Sequence, residues 1–256
     1  MQILRYRQGD DEPRYGWVLE EKVGAIDGNI FGEYKRGEAE ISIDSVEILA
    51  PVKPSKIICV GRNYAAHAEE HDAEMPDLPL IFLKPPSSVI APGEKIVLPP
   101  QSQQVEHEAE LAVVIGKRGK WIQPEQVSEH IFGYTIANDV TARDLQFRDG
   151  QWTRGKGFDT FCPVGPWIET EFDPSDALIT CNVNDEMRQM ASTHDMVFPV
   201  RQLVVFISSV MTLEPGDMIL TGTPAGVGPL EDGDKVVASI EGIGELKNYV
   251  VAGKPE

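Results

Sequence analysis

The most informative pattern of polar and hydrophobic positions lies at residues 105–117, in Val-Glu-His-Glu-Ala-Glu-Leu-Ala-Val-Val-Ile-Gly-Lys. Its apolar part, Leu111–Ile115, is continuous and rich in β-branched residues, which predicts a strand buried on both faces. Because side chains alternate along a strand, Glu106, Glu108 and Glu110 point the same way. Like charges that run into a dry interior need protonation or a bound cation, and a hard divalent metal with oxygen ligands would supply one.

The opposite face of this segment allows a second interpretation. Val105, His107, Ala109, Leu111 and Val113 make that face mostly apolar. The acids would then lie on the solvent side of an ordinary amphipathic strand, which is a common arrangement. The segment alone leaves both interpretations open.

Short apolar runs bounded by glycine and proline predict further strands along most of the chain. They are Lys56–Val60, Ile81–Lys84, Lys95–Leu98, Ile131–Val140 as far as Asn138-Asp139, Leu178–Val183 and Met218–Leu220. Many short strands, few helices and 23 glycines favour a β-rich α+β fold with a mixed β-sheet.

The clearest helical pattern is 200–213, which Pro215-Gly216-Asp217 would terminate. Its apolar residues recur at the spacing of one buried stripe. They are Val200, Leu203, Val204, Ile207, Val210 and Met211. A second, alanine-rich helical stretch is predicted at Tyr64–His71.

The first 50 residues have the pattern of a small β unit, with short runs at Tyr15–Leu19 and Lys22–Ile26 separated by turn residues. Pro51 and Pro54 then mark a linker. We therefore expect a small N-terminal β domain at 1–52 and a larger second domain at 53–256.

Composition narrows the classes of partner. A net charge of −18 argues against nucleic acid and anionic membranes, and an anionic substrate would need local positive charge. Cys59, Cys162 and Cys181 have neither the spacing of a zinc site nor that of a disulfide framework. The N-terminal sequence lacks an apolar signal core, and the apolar stretch near Leu203–Met211 is too short to span a bilayer, so we expect a soluble, cytoplasmic protein.

The glycine-rich segment 221–229, Thr-Gly-Thr-Pro-Ala-Gly-Val-Gly-Pro, is neither a P-loop nor a dinucleotide fingerprint, because it lacks their endings and spacings. It is either a tight turn or a loop whose hydroxyl and backbone N–H groups donate to a carboxylate.

Six ordered segments between residues 55 and 230 together resemble the fumarylacetoacetate hydrolase family. They are Cys59-Val-Gly-Arg-Asn-Tyr-Ala-Ala-His67, Phe82-Leu-Lys-Pro85, His107-Glu-Ala-Glu-Leu-Ala-Val-Val-Ile-Gly-Lys117, Asn138-Asp-Val-Thr-Ala-Arg-Asp144, Gly155-Lys-Gly-Phe-Asp159 and Glu214-Pro-Gly-Asp-Met-Ile-Leu-Thr-Gly-Thr-Pro-Ala-Gly-Val-Gly228. The resemblance implies a mixed β-sheet roll as the catalytic domain. It also implies a homodimer that uses Mg²⁺ or Mn²⁺ to act on small keto or enol acids.

The resemblance assigns the metal ligands to Glu108, Glu110 and Asp139. Glu106 would stand just outside this triad, and His107 receives no chemical role. Judged from the sequence alone, Asp139 is more typical of a residue that ends a strand or caps a turn. Three carboxylates would leave about half of an octahedral Mg²⁺ shell open for water and substrate oxygens.

The resemblance also assigns a catalytic pair to His67 and Glu70, which share a face of the predicted helix. Glu70 would orient His67 so that the imidazole can activate water or move a proton. The alternative is an ordinary surface pair, and His71 competes with His67 for the role. In metal-dependent members of the family this segment, about 64–78 here, behaves as a lid.

Lys156, between two glycines, is implied as a catalytic contact to the substrate carboxylate or enolate. Arg62, Gln146 and Thr223 are further candidate substrate contacts. Lys84 is either a buried ion pair or a ligand contact. We also expect Arg143 to be a structural partner of the acids.

The reaction expected from the resemblance is Mg²⁺-dependent hydrolysis of a C–C bond in an acylpyruvate-type diketo acid. The same site could decarboxylate an oxaloacetate-type acid or isomerise a 2-hydroxy-diene dioate. A metal-binding scaffold without turnover is the alternative from a different class.

Overall fold

Strands dominate the computed structural model, which describes residues 1–70 and 72–254. The first 50 residues contain β1 (Gln2–Arg7), β2 (Arg14–Leu19), β3 (Lys22–Gly28), β4 (Tyr34–Ser42) and β5 (Glu47–Leu49). The strands that follow are β6 (Ile57–Gly61), β7 (Leu80–Lys84), β8 (Val89–Ile90), β9 (Lys95–Leu98), β10 (Val105–His107), β11 (Ala109–Ile115), β12 (Ile131–Asn138), β13 (Thr141–Ala142), β14 (Cys162–Glu169), β15 (Leu178–Val183), β16 (Glu186–Ser192), β17 (Met218–Leu220), β18 (Gly228–Pro229), β19 (Lys235–Ile240) and β20 (Gly244–Ala252).

Helices are short and lie between the strands. They are α1 (Ala65–Glu70), α2 (Val127–His130), α3 (Arg143–Asp149), α4 (Thr153–Lys156) and α5 (Val200–Val210). Single 3₁₀ turns occur at Ile43–Ser45, Pro86–Ser88, Pro124–Gln126 and Thr193–Asp195. No helix within 1–70 and 72–254 has the length and apolar character needed to cross a membrane.

The largest sheet has the order β4-β3-β2-β1-β14-β12-β11-β17-β6-β7, with β5 paired to β1 and β8 paired to β14. Its pairs are antiparallel except for β17 with β6 and β14 with β8, so the sheet is mixed. Two smaller sheets have the orders β13-β10-β18 and β16-β15-β19-β20-β9. The predicted β-rich α+β class with a mixed sheet is therefore confirmed.

The strand β11 is covered on both faces, as its sequence predicts. Leu111 and Val113 pack in a core with residues of β15, β19 and α5, whereas Ala112 and Val114 pack in a second core with Ile57 and other residues of β6, β14 and β17. Every residue from Leu111 to Ile115 is fully buried. This double covering fixes the strand that carries the acids.

The N-terminal strands extend the sheet of the catalytic region, because β1 pairs with β14 and the Met1 ammonium pairs with Glu169. The proposed boundary at 52/53 falls between β5 and β6. Val52, at that boundary, is buried in the same core as Ile57 and Cys59.

The helix predicted at 200–213 ends at Val210, three residues early. Met211 has extended backbone, with φ −139° and ψ 155°, and Leu213 pairs with Gly119 through backbone hydrogen bonds in both directions. Because Leu213 is paired with Gly119, the chain is extended there and the helix ends before it reaches Pro215. Val210 is 52% exposed, so its placement in the buried stripe was wrong, whereas the stripe from Val200 to Ile207 is confirmed.

Burial of Leu111 gives a test of this packing. Leu111→Ala should lower the free energy of unfolding by about 2–5 kcal/mol, since it would leave a cavity in the core that Leu111 shares with β15, β19 and α5. Leu83→Ala is the matched control, because Leu83 is 48% exposed on the edge strand β7 and its loss should change stability by about 0.5 kcal/mol or less. Urea unfolding of both variants in chelating buffer measures the difference. Equal losses in the two variants would contradict the packing described.

Candidate metal centre

The acids of 106–110 lie inside the protein. Glu106 and Glu108 are each 4% exposed and Glu110 is 1% exposed, so the interpretation as a solvated strand face is wrong. The segment is also interrupted at Glu108, between β10 in the three-stranded sheet and β11 in the largest sheet. The chain therefore changes sheets at the central acid of the row.

Hydrogen bonds to the end of β12 hold this change of sheet. The N–H of Glu108 donates to Asn138 Oδ1 at 2.9 Å, and the N–H of Asp139 donates to the carbonyl of Glu108 at 2.9 Å. In the register of β11 and β12, Ala109 lies opposite Asn138. Asp139, the next residue, thereby comes beside the two glutamates that flank Ala109.

The three carboxylates that the family resemblance assigns to metal are brought together. One oxygen from each of Glu108, Glu110 and Asp139 lies within 4.8 Å of the other two, and all three residues are buried. Asp139 faces into this group. The sequence-based alternative of an ordinary turn or capping residue does not describe its buried side chain.

Buried cations neutralise part of this charge. Lys156 Nζ donates to Glu108 Oε2 and to Asp139 Oδ2, each at 2.7 Å. Lys84 Nζ donates to Asp139 Oδ1 at 2.6 Å, so Lys84 forms a buried ion pair. Arg143 Nη2 donates to Glu108 Oε1 at 2.5 Å.

Arg143 links the triad to Glu106, as expected for a structural partner. Its Nε donates to Glu106 Oε2 at 2.7 Å, and its Nη1 donates to Gln146 Oε1 at 2.7 Å. Gln104 Nε2 donates to the other oxygen of Glu106 at 2.6 Å. Glu106 is therefore satisfied outside the triad.

Glu108 and Glu110 differ in their electrostatic surroundings. Burial opposes ionisation of Glu108, but the charges of Lys156 and Arg143 outweigh it and hold the pKa of Glu108 well below its usual range. Burial and the nearby charges of Asp139 and Glu108 raise the pKa of Glu110 well above its usual range. Among the described residues, Glu110 Oε2 accepts a hydrogen bond from the N–H of Gly222, at 2.7 Å.

The donor set fits a hard divalent cation. All three candidate ligands are carboxylate oxygens, which Mg²⁺ and Mn²⁺ favour. The ammonium of Lys156 already lies between one oxygen of Glu108 and one of Asp139, so these oxygens converge on positive charge. Glu110 lacks an ion-pair partner in the described residues, which leaves negative charge for a cation to balance.

His67 of the candidate catalytic pair faces the same cavity. His67 Nδ1 lies 3.2 Å from Glu70 Oε2, and His67 is 7% exposed and lines the cavity with Glu108, Glu110 and Asp139. Glu70 also accepts a 3.0 Å hydrogen bond from the N–H of Gly226. His67 is thus buried, whereas its partner Glu70 is exposed. His71, the competing candidate, lies outside the described residues.

The other predicted contacts line this cavity as well: Arg62, Gln146, Lys156 and Thr223. Arg62 has left-handed backbone, with φ 57°, and its guanidinium makes no ion pair or hydrogen bond within the described residues. The hydroxyl of Thr223 donates to the carbonyl of Ala109 at 2.9 Å. Arg62 is therefore the cation of the cavity that the described residues leave unneutralised.

An aromatic wall of the cavity was not predicted. Phe82 and Trp152 meet edge to face with ring centroids 5.1 Å apart, and Phe147, 67% exposed, also lines the cavity. A Cβ at Gly61 would lie 2.6 Å from the Trp152 ring, so glycine is required there. Phe82 and Trp152 lie close in sequence to Lys84 and Lys156, and that proximity was the available signal.

Asn63 was also missed, although it belongs to one of the six segments. Its side chain is fully buried and donates to the carbonyls of Phe198 and Thr221, at 3.0 and 2.7 Å. Its Oδ1 accepts the N–H of Phe198 at 2.7 Å. Asn63 therefore ties the segment that leads to α1 to the start of the 221–229 loop.

Similarity to known proteins agrees with the six segments. Residues 56–251 match the family described as fumarylacetoacetate (FAA) hydrolase C-terminal, and residues 1–51 match the Rv2993c-like N-terminal family. Oxaloacetate tautomerase Fahd2a, a mitochondrial protein of Rattus norvegicus, is 42% identical in an alignment that covers 94% of this chain and 88% of that protein.

Two solved structures extend the comparison. The 5-carboxymethyl-2-hydroxymuconate delta-isomerase of Mycobacterium smegmatis is 44% identical with a TM-score of 0.91, over 99% of this chain and all of that one. Maleylpyruvate hydrolase of Sphingobium sp. SYK-6, in complex with manganese (II) and pyruvate, is 34% identical with a TM-score of 0.82, over the same shares. The chain belongs to the fumarylacetoacetate hydrolase family.

Proposed function

We propose that this protein is a divalent-metal-dependent enzyme that acts on small 2-oxo acids through their enol or enolate forms. The observation that carries this function is that His67, in contact with Glu70, lines the same cavity as the acid triad. A triad alone would suit a binding protein, whereas a neighbouring imidazole held by a carboxylate adds a group that can move a proton.

Glu108, Glu110 and Asp139 would hold Mg²⁺ or Mn²⁺. When bound, the ion would supply Lewis acidity to adjacent oxygens of a 2-oxo acid. Manganese is the ion named with the related maleylpyruvate hydrolase. These carboxylates are already buried and close together, so they need little rearrangement to serve as ligands.

Lys156 and Arg62 would bind the anionic part of the substrate. In a chain of net charge −18, an anion needs such local positive charge to enter. Arg62 has no ion pair within the described residues, so its guanidinium has donors available for a carboxylate. The aromatic wall beside Lys156 would keep bulk water away from the reacting carbon.

His67 would move the proton. The contact of its Nδ1 with Glu70 fixes the orientation of the imidazole in the cavity, and the N–H of Gly226 in turn fixes Glu70. The pair would remove a proton from the carbon next to the keto group or return one to it. The same pair could instead activate water for C–C bond hydrolysis.

Tautomerisation of an oxaloacetate-type acid is the reaction with the best support. It needs one proton to be transferred and no bond between carbon atoms to be broken, and the relative that aligns with 94% of the chain is named an oxaloacetate tautomerase. Hydrolysis of an acylpyruvate is the second candidate, favoured by the His67–Glu70 pair and by the related maleylpyruvate hydrolase.

Metal binding can be tested at Glu110. Glu110→Gln should weaken Mn²⁺ binding, measured by calorimetry or electron paramagnetic resonance, by more than the roughly 10–100-fold that outer-shell changes cause. Glu106→Gln is the matched control, because Glu106 is an equally buried acid outside the triad and should have the smaller effect. Unchanged Mn²⁺ affinity in folded Glu110→Gln protein would contradict the ligand assignment.

The catalytic pair can be tested separately. His67→Ala should lower kcat by about 10²–10⁴-fold while Mn²⁺ binding is retained, since the imidazole moves a proton and does not hold the ion. Glu70→Gln should lower kcat less, and Glu69→Gln, a change at the exposed neighbour, should leave it unchanged. Full turnover by the His67→Ala protein would exclude His67 as the proton carrier.

The reaction itself can be identified by removing the metal and varying the substrate. Oxaloacetate, acylpyruvates and hydroxymuconate-type dienes would be followed by ultraviolet absorbance with Mg²⁺, with Mn²⁺ and with chelator. Chelator should abolish turnover, and added ion should restore it. Faster enol–keto exchange of oxaloacetate supports the tautomerase, loss of the acylpyruvate chromophore supports the hydrolase, and turnover in chelator would contradict metal dependence.

A further inference from the structure

Gln189, on strand β16, connects the acid strand to the 221–229 loop. Its fully buried side chain makes four hydrogen bonds. Oε1 accepts from the N–H of Ala109 and from His107 Nδ1, each at 3.1 Å. Nε2 donates to Thr223 Oγ1 at 2.8 Å and to the carbonyl of Pro224 at 2.7 Å. No hydrogen-bonding capacity of the amide is left over.

Two backbone partners determine which atom of the Gln189 amide is the oxygen and which is the nitrogen. The N–H of Ala109 can only donate, so the atom beside it must be the oxygen of Gln189. The carbonyl of Pro224 can only accept, so the atom beside it must be the nitrogen. The hydrogens of Gln189 therefore point at Thr223 and Pro224.

The orientation of Gln189 determines the polarity of Thr223. A threonine hydroxyl has one hydrogen and can accept two hydrogen bonds. The hydrogen of Thr223 is donated to the carbonyl of Ala109 at 2.9 Å, and one acceptor position is taken by Gln189 Nε2. Towards the cavity that it lines, Thr223 has only an acceptor to offer.

The loop that carries Thr223 is held tightly against β16. Gly226 has φ 97°, and a Cβ there would lie 1.9 Å from the carbonyl oxygen of Arg188. The same loop supplies the N–H of Gly222 to Glu110 and the N–H of Gly226 to Glu70. Close contact with β16 leaves Thr223 little freedom to change its partners.

We propose, on the basis of the function proposed above, that Gln189 is a positioning residue that makes Thr223 an acceptor-only contact and so selects for a hydroxyl on the ligand. An enol or a 2-hydroxy acid carries such a hydrogen, whereas a ketone or a carboxylate does not. This reverses the role considered from the sequence, in which a threonine of this loop donates to a carboxylate. The cavity would thus distinguish the enol from the keto form of one acid.

Equilibrium binding of two small acids to the metal-loaded protein tests the polarity of Thr223. Pyruvate and each enantiomer of lactate share a carboxylate and differ at the second carbon, which bears a keto oxygen or a hydroxyl. Calorimetry with saturating Mn²⁺ gives the Kd of each acid for the wild type and for Thr223→Val. The variant should raise the Kd of the better-binding lactate by about 2–10-fold, the value of one neutral hydrogen bond, and that of pyruvate by less than about 2-fold.

Two control variants separate this effect from a general disturbance. Thr223→Ser keeps the hydroxyl and should keep the affinity ratio of lactate to pyruvate. Thr135→Val alters another fully buried threonine, whose hydroxyl has no hydrogen bond within the described residues, and should leave the ratio unchanged. Should Thr223→Val fail to fold, Thr223→Ala tests the same loss without a larger side chain.

Gln189→Leu tests the positioning role. Without the amide, the hydroxyl of Thr223 is free to turn, so the ratio of the lactate and pyruvate affinities should approach that of Thr223→Val. If Gln189 had a merely structural role, the variant would bind lactate and pyruvate more weakly by the same factor, and the ratio of their affinities would not change.

The outcomes distinguish this inference from the proposed function, because no turnover is measured. If Thr223→Val weakened the binding of lactate and pyruvate equally, or that of pyruvate more, the acceptor-only contact would be overturned and the proposed function would stand. An unchanged ratio in folded Gln189→Leu protein would overturn the positioning role. A wild-type protein that binds neither acid with Mn²⁺ would contradict the proposed function and this inference with it.

Discussion

The burial of a cluster of charged side chains is the constraint on which the rest of the site depends. The cluster contains four carboxylates and three cations: Glu106, Glu108, Glu110, Asp139, Lys84, Arg143 and Lys156. Charges away from water are stable only when they are paired and hydrogen-bonded with good geometry. Each cation therefore fixes the element that carries it: Lys84 fixes β7, Arg143 fixes α3 and Lys156 fixes α4. One carboxylate, Glu110, is left without an ion-pair partner among the described residues, and that deficit is what a divalent ion would fill.

The cavity has two chemically different sides as a result. Acids and their cations form one part of the lining, and the rings of Phe82 and Trp152 form another. The two parts meet at Lys156, whose Nζ lies 5.0 Å from the Phe82 ring centroid. His67 enters from α1, which the 221–229 loop contacts through Glu70. The same loop donates to Glu110 through the N–H of Gly222, so it supports both the triad and the His67–Glu70 pair.

The sequence predicted the elements that rest on local pattern, such as β11, β9, β15 and most of α5. It could not determine whether Glu106, Glu108 and Glu110 were buried, because both faces of their strand contain residues compatible with an interior. The early end of α5 depends on the pairing of Leu213 with Gly119, which lies 94 positions away. The polarity of Thr223 depends on Gln189 in the same way. Contacts between distant segments leave no periodic signal, so a residue such as Gln189 emerges only from the folded chain.

All three carboxylates of the triad lie at one end of the antiparallel pair β11 and β12: Glu108 precedes β11, Glu110 lies in β11 and Asp139 follows β12. The groups that surround them come from elsewhere: α1, α4, the aromatic wall and the 221–229 loop. Changes in those surroundings leave the backbone positions of the three acids in place, since the register of two adjacent strands sets them. The strand pair that carries the acids can therefore stay constant during evolution while the residues around it change. This division offers a physical reason why relatives of one fold bear the names of a tautomerase, an isomerase and a hydrolase.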